Sequence, residues 1–380
     1  MHHLFETLSL RGLQLPNRIG MSPMCQYSAV NGHVTDWHLV HYGTRATGGA
    51  GLMIVEATAV VPEGRITPGD LGLWTDSQVD GLARIAAYSQ SRGCVPAIQL
   101  AHAGRKASSP VGWEAQRTLG LEEGGWTTVA PSALPFSPAF ATPQALDEAG
   151  IASVIGAFAD AARRAHTAGF QAVEIHAAHG YLLHQFMSPL SNRRDDRWGG
   201  SFENRTRLVQ QVVSAVRAAW PEHLPISLRL SATDWMKGGW DIEQTVALCQ
   251  VLKTLGVDLV DVSSGGTSPD AKIPVGPGYQ VPFAKRIREE TGLPVAAVGL
   301  ITQPSQAEAI LAEGQADLVL LGREVLRNPY WPLQAAQALG EPAAYPLQYL
   351  RALPAGARAP ERKKVHHGLP GNAALILRKK

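Results

Sequence analysis

Eight short runs of apolar and β-branched residues recur along the chain and predict eight β-strands. They lie at 18–22, 51–56, 95–100, 172–176, 226–230, 259–263, 295–298 and 318–321. Apolar residues with the spacing of amphipathic helices lie between them, at 147–168, 202–220, 242–255, 282–291 and 304–313. This alternation predicts an α/β fold, a single (β/α)8 TIM barrel. An open doubly wound sheet is the alternative, which the absence of an early GxGxxG sequence disfavours.

One connection is far longer than the others. Residues 101–146, after the third predicted strand, show no strong helical period and are dense in Gly, Pro, Ser and Trp. Connections in compact domains usually have a median of about 4–6 residues. In a barrel this segment leaves the C-terminal end of the third strand, where active-site covers lie. We therefore predict a capping insertion, with an inert surface insertion as the alternative.

Composition and charge indicate a globular, cytoplasmic protein. The 380 residues are 45% hydrophobic and 17% charged, which is neither a disordered nor a membrane-embedded composition. No apolar run approaches the roughly 20 residues needed to span a bilayer, and no signal-peptide pattern opens the chain. The net charge of +2 gives no reason to expect nucleic acid or a membrane as a partner. Cys25, Cys94 and Cys249 form no CxxC pair, so we expect neither a cysteine-ligated metal centre nor a disulfide framework.

The fourth predicted strand runs directly into polar residues. His176 ends this strand, and His179 and Tyr181 follow it. A buried strand needs only apolar side chains, so two imidazoles and a phenol at its end indicate a site that binds and protonates an anionic oxygen. A pair of loop histidines with satisfied hydrogen bonds is the alternative.

The C-terminal ends of the other predicted strands are also polar or rich in glycine. A barrel gathers these ends around one axis, so we expect them to form one rim. The residues concerned are Ser22 to Tyr27, Glu56 to Thr58, Gln99 to Lys106, Arg229, Ser263 to Gly266, Gly299, and Gly322 with Arg323.

Two of these ends indicate a phosphate site. Barrels commonly bind phosphate between the loops after strands seven and eight, where Gly299 and Gly322 would let the backbone approach and Arg323 would supply charge. The ligand would be flavin mononucleotide (FMN) or a phosphorylated sugar. Gln99 can donate to and accept from the pyrimidine edge of a flavin, and Arg229 would offset the negative charge at N1 and O2 after reduction. These two residues favour the flavin.

Together these motifs are similar to those of the Old Yellow Enzyme family of flavin-dependent ene-reductases, in its thermophilic-like subclass. The similarity covers about residues 4–351, and its motifs are SPMCQY at 22–27, QLAHAGRK at 99–106, HAAHGY at 176–181, 188–204 with GGSFENR at 199–205, and GR at 322–323. The main subclass usually has Thr at the position of Cys25. It also often has a His–Asn pair where this chain has His176 and His179.

The resemblance implies non-covalent FMN, with NADPH as the reductant and NADH as a possible substitute. It implies that α,β-unsaturated carbonyl compounds and nitroalkenes are the substrates. His176 and His179 would bind the substrate oxygen, Tyr181 would protonate the α-carbon, and Tyr27 and Lys106 would line the substrate side. A surface or lid ion pair is the alternative role for Lys106. The implied FMN contacts are Pro23, Met24, Cys25, Ala57, Gln99, Arg229, Gly299, Gly322 and Arg323.

The C-terminal part of the chain carries a prediction about assembly. Pro342 and Pro346 suit residues 340–352 to an extended arm rather than a docked helix. The arm ends near Arg351 and resembles the segment that brings an arginine into the neighbouring active site in this subclass. This implies a homodimer or a dimer of dimers with Arg351 acting in trans; a disordered terminal arginine is the alternative. We assign 1–352 to the FMN-binding barrel and expect 353–380 to be a disordered or foreign tail.

Two other classes of function stay open from the residues alone. A metal-dependent barrel hydrolase or aldolase would use His176 and His179 as ligands, with His102 as a third, although we expect no metal. A non-catalytic flavin-binding redox sensor would use Cys25 as its responsive group. In the enzyme, a thiol at this position near the ring would tune the reduction potential, and a buried structural cysteine is the alternative.

Overall fold

Eight parallel strands close into a barrel in which every strand lies next to its neighbours in the chain. The computed structural model describes residues 2–343 and 345–353. The strands, labelled β1 to β8, span Ile19–Met21, Leu52–Ala59, Val95–Ala101, Ala172–Ala177, Ile226–Ser231, Leu259–Ser263, Val295–Ala297 and Leu318–Leu321. Each overlaps a strand predicted from the sequence, and the (β/α)8 fold is confirmed.

The α-helices of the described residues surround the barrel. Helices α1 to α10 span Asp36–Thr47, Val79–Ser91, Glu148–Thr167, Leu182–Met187, Phe202–Ala219, Ile242–Thr254, Val281–Thr291, Pro304–Ala312, Arg323–Arg327 and Trp331–Ala338. The five helices expected from apolar periodicity all form. Helix α1 has no aliphatic stripe because its buried face carries His38, His41 and Tyr42, so its periodicity is weak.

Residues along each strand alternate between the barrel interior and the surrounding helices. A hairpin of Leu8–Leu10 and Leu13–Leu15 closes the N-terminal end of the barrel, and its leucines cluster with inward residues such as Leu52, Leu259 and Leu318. The outward residues pack in a second, larger cluster with the helices. The interior therefore begins as an ordinary aliphatic core and becomes polar only towards the C-terminal ends of the strands.

The long insertion lies over the C-terminal end of the barrel, as predicted. It contains a short parallel pair, Val129–Ala130 with Gln144–Ala145. The guanidinium of Arg105 donates to the carbonyls of Leu134 in the insertion, at 3.3 Å, and Thr267 after β6, at 2.8 Å. This side chain therefore ties the insertion to the rim.

The C-terminal arm differs from the extended segment that its prolines suggested. It ends in a short 3-10 helix, Leu347–Ala352, on which the side chain of Arg351 is exposed. The turn forms because both prolines, Pro342 and Pro346, precede it and leave it unobstructed. The predicted tail lies outside the described residues apart from Leu353. Within the described ranges, no helix combines the length and hydropathy needed to cross a membrane.

The start of helix α3 provides a test of local stability. The carboxylate of Asp147 accepts a hydrogen bond from the backbone N–H of Gly150 at 2.8 Å. Removing this cap in Asp147→Ala should lower the free energy of unfolding by about 0.5–2 kcal/mol, measured by urea denaturation with circular dichroism. Asp147→Asn retains a capping oxygen and is the matched control. Equal losses in the two variants would show that the cap is not responsible.

Candidate active site

The three residues predicted at the end of β4 lie together at the rim. The ring centroid of His176 lies 5.2 Å from that of His179 and 5.0 Å from that of Tyr181, and each pair of rings is nearly perpendicular. His176 is buried, whereas the other two are half-buried. Two imidazoles and one phenol therefore form one cluster at the C-terminal end of the strand.

The cluster depends on a strained turn. His179 and Gly180 both have left-handed backbone conformations, with φ of 59° and 72°, which a non-glycine residue such as His179 seldom adopts. The N–H of His179 donates to the hydroxyl of Ser231 at 2.9 Å. The ammonium of Lys106 donates to the carbonyl of His179 at 2.9 Å and to that of Gly266 at 3.1 Å. Side chains from other strand ends thus hold this turn in place.

The next peptide group is held in the same way. The N–H of Gly180 donates to Nδ1 of His184 at 2.9 Å, and its carbonyl accepts from the side-chain amide of Gln185 at 2.7 Å. Nε2 of His184 lies 3.0 Å from a carboxylate oxygen of Asp234, and both side chains are fully buried. Burial alone would raise the pKa of Asp234, but the imidazole of His184 holds it at about 2. This carboxylate favours the proton on Nε2 and leaves Nδ1 free to accept from Gly180.

Both histidines of the cluster are neutral. Burial, and then the positive charge of Arg229, lower the pKa of His176 and His179 well below the usual value. Nδ1 of His176 accepts from the N–H of Ala178 at 3.3 Å, so the proton of this ring lies on Nε2. Nε2 of His179 lies 2.7 Å from the hydroxyl of Ser263, which leaves Nδ1 for a ligand.

Burial shifts the pKa values of Tyr181 and Lys106 in opposite directions. Burial, and then Cys25, raise the pKa of Tyr181 well above its usual value, so the phenol keeps its proton. Burial lowers the pKa of Lys106 to about 8. Its ammonium lies 5.0 Å from the ring centroid of Tyr181 and 4.6 Å from that of Phe136 in the insertion. Among the described residues Lys106 makes no ion pair, contrary to the alternative considered from the sequence. It donates to the carbonyls of His179 and Gly266 instead.

A cleft beside the cluster contains four of the predicted cofactor residues. Arg229, Gly299, Gly322 and Arg323 line about 590 Å³ of space, part of it open to solvent. Gly299 has φ of 130°, and a Cβ there would lie 3.0 Å from the ring of Tyr279. Glycine at this position therefore avoids both backbone strain and close contact with Tyr279.

Gln99 and Arg229 have groups free for a ligand. The amide nitrogen of Gln99 donates to Glu174 at 2.8 Å, whereas its oxygen has no hydrogen bond within the described ranges. Nε of Arg229 lies 3.0 Å from Asp261 without hydrogen-bond alignment, and its terminal nitrogens have no partner in this part of the chain. The free amide oxygen of Gln99 and the free terminal nitrogens of Arg229 fit the pyrimidine edge of FMN.

The loop after β1 contributes the other predicted residues. Pro23 and Ala57 are buried, and Met24 lies beside Gly322, 3.7 Å from a Cβ placed there. Burial, followed by Asp70 and Glu56, raises the pKa of the half-buried Cys25 thiol. The loop is anchored because the carboxylate of Glu56 accepts from the N–H of Gln26 at 2.7 Å.

Tyr27 meets the capping insertion. Its backbone is left-handed, with φ of 52°, and its ring packs edge-on against Trp113 at 5.6 Å. Arg351, in contrast, is exposed and forms no hydrogen bond or ion pair within residues 2–343 and 345–353. The structure therefore connects Tyr27, but not Arg351, with the site of the same chain.

Sequence reasoning missed several residues that fix the site, namely Glu174, His184, Asp234 and Asp261. The sequence did contain a signal for Glu174 and Asp261, because each acid interrupts an apolar strand run at an inward position. His184 and Asp234 had none, since they are distant in sequence and meet only in the fold. Among the described residues, no group of three or more His, Cys, Asp or Glu side chains could hold a metal ion.

Comparison with known proteins finds relatives over nearly the whole chain. The model of the NADH:flavin oxidoreductase / NADH oxidase family matches residues 3–341. An NADPH dehydrogenase of Geobacillus thermodenitrificans (strain NG80-2) is 49% identical over 350 residues, 92% of this chain and 98% of the relative. Morphinone reductase, a solved structure, has a TM-score of 0.75 and 30% identity over 90% of this chain and 91% of its own. A 2-naphthoyl-CoA reductase has a TM-score of 0.80 and 25% identity, and the match covers 89% of this chain and 52% of that longer chain.

The turn at Gly180 provides a test of how the cluster is held. A Cβ at Gly180 would lie 2.2 Å from the carbonyl oxygen of Gly266, whereas one at Gly200, with a similar φ of 77°, would meet nothing within 4 Å. Alanine at either position bears the cost of a left-handed backbone, roughly 1–2 kcal/mol. Gly180→Ala should therefore lower the melting temperature clearly more than Gly200→Ala, as scanning calorimetry would measure. Equal melting temperatures would mean that the turn can move away from Gly266.

Proposed function

Because the chain belongs to the NADH:flavin oxidoreductase / NADH oxidase family, we propose that it reduces the C=C bond of α,β-unsaturated carbonyl compounds and nitroalkenes. Its membership of the Old Yellow Enzyme family and its use of FMN with NADPH are confirmed. Bound FMN would supply hydride transfer to the β-carbon of the alkene, with NADPH as the hydride source or NADH as a substitute. The observation that carries the proposal is the pair of neutral imidazoles next to a protonated phenol at the rim.

Residues from both sides of the cleft would hold FMN. Gln99 and Arg229 offer an amide oxygen and guanidinium nitrogens to its pyrimidine edge. The backbone at Gly299 and Gly322 and the cation of Arg323 suit its phosphate. The remaining proposed contacts come from the anchored loop after β1 and the end of β2, namely Pro23, Met24, Cys25 and Ala57.

His176 and His179 would polarise the substrate. A neutral imidazole donates one N–H without bringing a full positive charge, and the free ring nitrogens of the pair border the cluster. Donors that are already oriented are worth most where negative charge develops, here on the enolate or nitronate oxygen. The hydrogen bonds to Ala178 and Ser263 fix the two rings before substrate arrives.

Tyr181 would supply the proton. Burial raises its pKa, so the hydroxyl stays protonated at all ordinary pH values and gives its proton only to a strong base. The α-carbon of an enolate is such a base. Lys106 fixes the adjacent turn through the carbonyl of His179 and lies against the ring of Tyr181, while Tyr27 and Trp113 would border the substrate under the insertion.

The redox-sensor alternative is disfavoured by the state of Cys25. A responsive cysteine needs a readily formed thiolate, but burial and the nearby Asp70 and Glu56 raise the pKa of this thiol. We therefore assign Cys25 to the flavin environment.

Arg351 has its proposed role in a neighbouring subunit. Its exposed guanidinium has no partner in the described part of its own chain, and exposed Leu347 and Tyr349 lie on the same 3-10 segment. A two-fold dimer would deliver this arginine to each partner's site through one self-complementary contact. We propose a homodimer or a dimer of dimers built in this way.

Replacing Tyr181 by Phe tests the proton donor. Tyr181→Phe should slow reoxidation by cyclohexenone by roughly 10²–10⁴-fold, the usual contribution of general acid catalysis. Reduction by NADPH should be nearly unchanged, because that half-reaction needs no proton at carbon. Stopped-flow absorbance separates the two steps, and Tyr88→Phe on the remote helix α2 is the control. Unchanged reoxidation would remove Tyr181 from this role.

Mixed dimers test whether Arg351 acts in trans. Arg351→Ala should raise the KM for enones without releasing FMN. In a dimer of one Arg351→Ala and one Tyr181→Phe subunit, one site receives an intact Tyr181 from its own chain and an intact Arg351 from the partner. Activity after subunit exchange should therefore exceed the mean of the two parents. Strictly averaged activity after demonstrated exchange, or an active monomer by light scattering, would contradict the proposal.

A further inference from the structure

Two carboxylic acids lie inside the closed barrel, below the rim. Glu174 and Asp261 are fully inaccessible and occupy inward positions two residues before His176 and Ser263. Such positions normally carry Val, Ile or Leu, as they do nearer the hairpin. An ionised carboxyl in an enclosed site is costly unless it is paired and hydrogen-bonded, so these acids need an explanation beyond packing.

Each acid contacts one of the two residues proposed for the pyrimidine edge. Glu174 accepts from the amide of Gln99 at 2.8 Å and, with its other oxygen, from the hydroxyl of Ser227 at 3.4 Å. Asp261 lies 3.0 Å from Nε of Arg229. Neither oxygen of Asp261 makes a hydrogen bond within the described ranges, which is unusual for a buried carboxylate.

The groups that face the two acids supply a single positive charge, that of Arg229, against two carboxyls. β3 contributes Gln99, β4 the neutral His176, β5 Ser227 and Arg229, and β7 the apolar Ala296 opposite Asp261. Two ionised carboxylates against one guanidinium would leave a net negative charge in an enclosed space. Burial raises the pKa of both acids, and the charge of Asp261 raises that of Glu174 further, while Arg229 opposes the shift. The protonation of Glu174 therefore depends on the charge of Asp261.

We propose that the pair formed by Glu174 and Asp261 binds a proton when bound FMN is reduced and releases it on reoxidation. The proposal rests on the placement of Gln99 and Arg229 at the pyrimidine edge given under Proposed function. Reduction places negative charge at this edge, and this charge attracts the guanidinium of Arg229. Arg229 then stabilises the ionised carboxylates of Glu174 and Asp261 less. Two electrons and one proton arrive as the hydride of NADPH. One further proton from solvent forms an O–H bond on the pair, and this bond breaks when the electrons leave.

Potentiometry on the FMN-loaded protein between pH 6 and 9 tests the proposal. When one proton accompanies two electrons, the midpoint potential falls by about 30 mV per pH unit, a tenfold change in the equilibrium constant; two protons double the slope to about 59 mV. In the protein with its natural sequence, we expect the midpoint potential to fall by more than about 30 mV per pH unit over part of this range. In Glu174→Gln the slope should return to about 30 mV throughout.

Two further variants make the result decisive. Asp261→Asn removes the other acid and should also flatten the slope, so it decides the question where Glu174→Gln fails to fold. Glu243→Gln is the matched control, because it neutralises an exposed carboxylate paired with Arg286 outside the barrel; its slope should match that of the natural sequence. The absorbance of the reduced protein is recorded at each pH, since protonation of the flavin itself changes the near-ultraviolet spectrum.

Three outcomes would overturn the proposal: a slope of about 30 mV per pH unit in the natural sequence, a steep slope that persists in both barrel variants, or a steep slope that follows the absorbance change of the reduced flavin. Failure of the proposed function looks different. If Gln99→Ala and Arg229→Ala leave the affinity for FMN and the flavin absorbance unchanged, the pyrimidine edge lies elsewhere. Flavin affinity that depends on Gln99 and Arg229, with slopes that do not depend on the acids, would reject the inference alone.

Discussion

The positive charge of Arg229 inside the barrel is the constraint on which the site depends. The guanidinium is buried and lies 3.0 Å from Asp261, because an unpaired cation in this environment would be very costly. Burial lowers the pKa of His176 and His179, and the same positive charge lowers it further. It thus helps to keep both rings neutral while its terminal nitrogens stay available to the cleft. The electrostatics of the cofactor side and of the substrate side are therefore coupled through one residue.

A second constraint acts on the backbone. The left-handed turn at His179 and Gly180 has little stability of its own. Four side chains hold its peptide groups: Lys106 after β3, Ser231 at the end of β5, and His184 and Gln185 on helix α4. Three strand ends must therefore be in place before the histidine cluster has its geometry. Contacts between residues far apart in the sequence hold the histidines in their orientation. The geometry of the site therefore depends on all three strand ends being in place.

These two constraints mark what the sequence could predict. Local patterns sufficed for the strands, for the amphipathic helices and for polar strand ends such as His176 and Arg229, because barrel symmetry brings these ends together. The pairing of His184 with Asp234 could not be inferred, since it depends on where helix α4 meets the loop after β5. Glu174 was visible within its strand, but only the partners on β3 and β5 show that it faces the interior. The contact proposed for Arg351 would lie in a second subunit, which one chain cannot specify.

The distribution of protons explains why acids, imidazoles and a phenol are arranged as they are. At neutral pH the two imidazoles carry one proton each and Tyr181 keeps its own, so the three groups proposed to contact the reacting part of the substrate are uncharged. An imidazolium would bind an anion more strongly, but it would also hold the enolate product and slow its protonation at carbon. The ionisable carboxyls lie instead on the other side of Arg229, below the rim. There they can adjust the charge of the cofactor side without placing a negative charge next to the enolate oxygen, which a carboxylate at the rim would repel.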